Sequence, residues 1–189
     1  LPESKVIEAL EWAATNTLHT YTDVIFGLPL ETKDSFVDLL TKASRYGFDR
    51  ITCYNCLLLP GTELNREFVR EKYALKTKFR LQGANYGYLE DGIFTAETEE
   101  VVLSSSTFSF DDYMFIRKIN FLFHNGFNFG FYRRFFNGMN SVGALVKFFE
   151  HFFNPDKNKE WPEGYLRFLN DLNDVFIGEL YDSKEKLKD

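Results

Sequence analysis

The chain has 189 residues, of which 44% are apolar, 26% charged and 18% aromatic, with 22 Phe and a formal charge of −6. That length supports one hydrophobic core, or a domain with a smaller companion, and the acidic balance excludes a general nucleic-acid binder, which needs a basic surface to neutralise phosphates. Two cysteines exclude a secreted disulfide scaffold, and with no apolar run near the roughly 20 residues that span a bilayer and no signal-peptide layout, the expectation is a cytoplasmic protein without a membrane segment.

Leu1 rather than Met opens the chain inside a helical pattern, so the expectation is a sequence cut from something longer. Residues 3 to 16 place Val6, Ile7, Leu10 and Ala13 or Ala14 at helical spacing, with Ser4 as a candidate cap, and predict a helix. Thr22 to Phe26 is a short apolar strand. A second helix opens at Thr32-Lys33-Asp34-Ser35, carries Phe36, Leu39, Leu40 and Ala43 on one side, and ends near Gly47. Residues 50 to 59 form a second strand closed by Pro60-Gly61. The two strands end alike, in Leu28-Pro29 and Leu59-Pro60, 31 residues apart. A strand and its crossover helix take about 30 residues, so the spacing fits successive units of a parallel sheet.

Residues 64 to 80 are charged and partly helical in pattern, 81 to 98 show no period, and 100 to 104 read as a short strand. Ser109 and Asp112 resemble a capping box opening a helix through about His124, ended by Gly126. Further helices are predicted at about 129 to 137, 141 to 153 and 162 to 181, the last with Pro162 in its first turn, before a solvated and disordered SKEKLKD tail.

TDVIFGLPLETKDSF followed by DRITCYNCLLLPGTEL resembles the late barrel strands of radical S-adenosylmethionine (radical SAM) enzymes, in the subgroup joined to a cobalamin-binding domain. In that family a strand ending Gly-Leu-Pro-Gly-Glu-Thr is followed by a helix and a strand ending Leu-Pro-Gly-Thr; here these read Gly27-Leu28-Pro29-Leu30-Glu31-Thr32 and Leu59-Pro60-Gly61-Thr62. The resemblance covers about residues 1 to 75 and, more loosely, 97 to 117. It implies an α/β then mainly α chain: the C-terminal βα elements of a partial (β/α)6 TIM-like barrel at 1–75, an irregular connection with a short strand at 76–107, and a helical accessory domain at 108–189. It also implies that S-adenosylmethionine lies against Ile25, Gly27, Leu58 and Leu59. Asp23 and Leu30 depart from the family's Gly-x-Ile-x-Gly-x-x-Glu pattern at its first Gly and its Glu, with Glu31 displaced by one.

The family's [4Fe–4S] cluster needs three thiolates in a Cys-x3-Cys-x2-Cys loop, and this chain has Cys53 and Cys56 only. The resemblance places that loop upstream of Leu1, so the chain by itself is expected to hold no cluster, to bind no cofactor tightly, and to be inactive without the N-terminal portion of its protein. In the intact protein the cluster would cleave S-adenosylmethionine to a radical that modifies a substrate, with cobalamin and methyl transfer if the subgroup holds. The substrate stays open.

The remaining constellations carry less. Cys53 and Cys56 have the spacing of half a zinc site or of a redox pair, but residues three apart in a strand point to opposite faces, and two buried small side chains fit better. Glu97, Glu99 and Glu100 read as a solvated face before an acid–base pair. Ser104 to Ser106 have no base nearby, and no glycine falls in a phosphate-loop pattern. Phe148, Phe149, Phe152 and Phe153 share one broad helical face, as a core or interface requires; Arg133 and Arg134 are a local basic spot. The alternative function is a non-catalytic interaction module built on these Phe-rich helices, and a weaker one a redox protein using the two thiols. Two strands without partners leave an open edge, so self-association is expected.

Overall fold

The computed structural model describes residues 2–130, 134, 142–156 and 159–187, with backbone alone at 84 and 142–146. These residues group into two compact units: residues 1–26, 33–54 and 115–160 in the first, and 27–32, 55–114 and 161–189 in the second.

In the first unit, α1 (Glu3–Thr15) begins after Pro2, which occupies the N-cap position; Ser4 lies inside the helix and caps nothing. Proline lacks the N–H that a first turn leaves unpaired, so it starts a helix without a side-chain cap. Thr17 closes the helix at φ 56, with the Leu18 N–H reaching back to the Ala13 carbonyl at 2.9 Å, a Schellman closure. β1 (Tyr21–Phe26) and β2 (Arg50–Asn55) form a two-stranded sheet joined through α2 (Lys33–Tyr46). Asp49 and Arg50 N–H groups both donate to the Thr20 carbonyl, so the strands start side by side and run parallel. Val24 and Phe26 are buried, with the Phe26 ring 5.1 Å from Phe36 of α2. Tyr21, Ile25 and Tyr54 are exposed on the sheet. One face of the sheet is therefore covered by α2, which explains the alternating rather than continuous burial of β1.

The far edge of β2 is closed by a side chain. Asn128 accepts the Ile51 N–H at 2.9 Å and donates to the Ile51 carbonyl at 2.8 Å, imitating a neighbouring strand. Asn128 is placed by a π-helical turn, Phe123–Asn128, that continues α4 (Phe110–Leu122). Gly126 sits inside this turn and does not end the helix; the left-handed glycine is Gly130, at φ 79. α5 (Val142–Phe153) packs on α2, and the buried rings of Phe123, Phe127, Phe149 and Phe153 make a core in which Phe123 and Phe149 lie 6.1 Å apart. The predicted helix at 129–137 falls almost wholly outside the described residues, as does Arg133.

In the second unit, α3 (Glu67–Lys72) leads into a long antiparallel hairpin, β3 (Lys76–Tyr88) with β4 (Phe94–Ser104). Residues 81 to 98, which show no period in the sequence, are thus mostly strand. Residues 56 to 58 extend this sheet beside β4: the Leu58 N–H donates to the Glu100 carbonyl and the Val102 N–H to the Cys56 carbonyl. Across β3, Tyr181 exchanges both backbone hydrogen bonds with Phe79. α6 (Glu163–Gly178) starts after Pro162 at its N-cap, and the tail, expected to be disordered, makes a short 3-10 turn, Glu185–Leu187, that buries Leu187. The capping box is present: Asp112 donates its N–H to Ser109 Oγ and accepts the Ser109 N–H and Oγ–H.

Candidate functional site

Two turns in the second unit follow the two strands of the first, and they have the same construction. In Leu28-Pro29-Leu30-Glu31 the Glu31 N–H donates to the Leu28 carbonyl at 3.1 Å; in Leu59-Pro60-Gly61-Thr62 the Thr62 N–H donates to the Leu59 carbonyl at 3.3 Å. Proline presets the first central position, and the second takes a positive φ, 67° at Leu30 and 81° at Gly61. These are type II turns, whose second central position favours glycine. Gly61 meets that demand, and Leu30 meets it against the preference of a side chain with a Cβ.

The first turn is tied down on both sides. Glu31 folds back so that its Oε2 accepts the Gly27 N–H at 2.7 Å, and Thr107 Oγ1 donates to the Glu31 carbonyl at 2.5 Å. Burial raises the Glu31 carboxyl above its usual range, partly offset by the N–H groups of Gly27 and Leu28. Gly27 has φ 101, and a Cβ there would stand 3.3 Å from Cys56 Cβ and 3.5 Å from the Phe108 ring. The close approach that glycine allows at Gly27 is therefore to Cys56 and Phe108 of this chain.

The second turn is anchored by Asn65, whose Nδ2 donates to the carbonyls of Leu58 and Leu59 at 3.2 and 3.1 Å. Its Oδ1 accepts from Arg70, which makes a two-pronged pair with Glu100, both contacts at 2.7 Å. Thr77 Oγ1 adds a third donor to Glu100. Burial alone would raise the Glu100 carboxyl, but the hydrogen bonds from Arg70 and Thr77 and the charges of Arg70 and Lys184 outweigh it and hold it below the usual range. Glu99 pairs with Arg80 at 2.8 Å and Glu97 accepts from Asn85 at 3.0 Å. Glu99 and Glu100 are thus shielded ion pairs inside the hairpin, where the sequence pattern indicated a solvated face. Asn65, Arg70 and Thr107 escaped sequence reasoning because single polar residues in charged stretches carry no spacing signal.

Of the four residues expected near a cofactor, Ile25 is 43% and Leu59 55% exposed, whereas Leu58 is 2% exposed and Gly27 is buried. Ile25 belongs to the first unit and the other three to the second. Burial pushes the thiol of Cys53 up to about 12 and that of Cys56 to about 11, with the Glu31 charge adding to the second. Both are free and neither is a thiolate near neutral pH. Among the described residues no group of three or more His, Cys, Asp or Glu side chains could hold a metal ion, and no helix is long and apolar enough to cross a membrane.

No family model matches the chain. Its similarity to curated proteins lies with methyltransferases and supports a relation to the cobalamin-dependent radical SAM methyltransferases. The cobalamin-dependent radical SAM methyltransferase TokK of Streptomyces tokunonensis is 31% identical over 171 residues, 87% of this chain and 21% of that protein. The 2-(S-pantetheinyl)-carbapenam-3-carboxylate methyltransferase of Streptantibioticus cattleyicolor is 34% identical over 119 residues, 60% of this chain and 17% of that protein. The chain spans about a fifth of the length of the curated relatives it matches.

Proposed function

We propose that this chain is part of a cobalamin-dependent radical SAM methyltransferase, corresponding to the last two βα units of its partial barrel and the helical region after them. The similarity to TokK across 87% of the chain carries the reading, and the paired type II turns at the family's two signatures support it. Parallel α/β folds place their ligands beyond the carboxyl ends of the strands, and in the sequence these turns come after those ends. S-adenosylmethionine would supply the transferred methyl group and the radical chemistry. Ile25 in the first unit and Leu59 in the second each offer exposed apolar surface, while Leu58 and Gly27 are buried within the second unit.

The residues of this chain do not fit a [4Fe–4S] cluster. Two cysteines fall one short of the three thiolates required, and both thiols are held protonated by burial. The cluster would be held by other residues of the whole protein, and this chain alone is expected to make no 5′-deoxyadenosine. The whole enzyme, reconstituted with iron, sulfide and cobalamin and given S-adenosylmethionine with 2-(S-pantetheinyl)-carbapenam-3-carboxylate as trial methyl acceptor, is expected to release 5′-deoxyadenosine and a methylated product. Failure to form 5′-deoxyadenosine under reducing conditions would overturn the reading.

A further inference from the structure

We draw no further inference here: the strongest candidate, the cavity of the first unit on the β1–β2 sheet lined by Tyr21, Asp23, Arg50, Thr52 and Tyr54, carries nothing, because nothing in the structure shows what covers that open face.

Discussion

Leu30 and Gly61 occupy the same place in two turns of the same chain, so each serves as the control for the other. A left-handed L-residue costs about 1–2 kcal/mol, and replacing it by glycine returns about 0.4–1 kcal/mol to the freedom of the unfolded chain. Leu30→Gly is therefore expected to stabilise by about 0.5–1 kcal/mol, seen as a higher urea midpoint at unchanged slope. Gly61→Ala is expected to move the midpoint the other way by a similar amount; no atom lies within 4 Å of a Cβ built there, so the cost is conformational alone. Equal midpoints for either variant and the parent would remove the turn assignment. Glu31 gives the residue scale a pH signature. Its folded carboxyl is raised from 4.5 mainly by burial, so the folded state holds the proton more tightly than the unfolded chain does. The stability it contributes is present below the unfolded value and is lost as pH rises through the folded one. Glu31→Gln keeps an acceptor for the Gly27 N–H and removes the buried charge, and should flatten that loss across the mildly acidic range in urea titrations. The sequence made the need for glycine at Gly27 legible, but not its cause, because Cys56 and Phe108 approach it from distant parts of the chain.

At the scale of elements, the hairpin depends on one charged pair that has little contact with water. The Arg70 and Glu100 side chains are 30% and 14% exposed, and the pair links α3 to β4. Arg70→Met leaves Glu100 with the Thr77 hydroxyl and the charge of Lys184 and is expected to cost about 2 kcal/mol, below the range for fully buried pairs because Arg70 is partly solvated. Because Glu100 is held below its ordinary value, the stability it contributes is present above the unfolded value and is lost as pH falls through the folded one. Arg70→Met should therefore lose stability near neutrality and show a shallower decline in acid, measured as the urea midpoint against pH. Asn128 plays the comparable part for β2. Asn128→Ala strands the N–H and carbonyl of Ile51, which is fully buried, and should cost about 2–3 kcal/mol; Asn128→Asp keeps the acceptor and should recover part of it. The helices were legible because Phe36, Leu40, Phe149 and Phe153 repeat at helical spacing against one core. The hairpin was not. Its register shifts between Leu81 and Tyr86, which breaks the two-residue alternation, and its interior is held partly by ion pairs in place of an apolar face.

On the scale of the whole chain, what remains unpaired decides how it behaves in solution. β1 has one strand neighbour among the described residues, β2, so its far edge has no strand partner there, and the sheet face opposite α2 exposes Tyr21, Ile25 and Tyr54. An open strand edge beside apolar surface is a template for pairing with another copy. The chain by itself is therefore expected to associate at concentrations on the order of 10 μM, measured as a mass above 22.2 kDa by light scattering. Salt gives the sign that separates this from electrostatic aggregation. Each copy carries a formal charge of −6, so copies repel one another, and added salt screens that repulsion without weakening backbone pairing or apolar contact. Association should grow with sodium chloride and fall in Ile25→Lys, which places a charge on the exposed face while leaving the buried Val24 and Phe26 in place. A chain that stays monomeric in high salt would mean that the β1 edge is too short or too twisted to pair. The exposed face would then have to be explained without a covering partner.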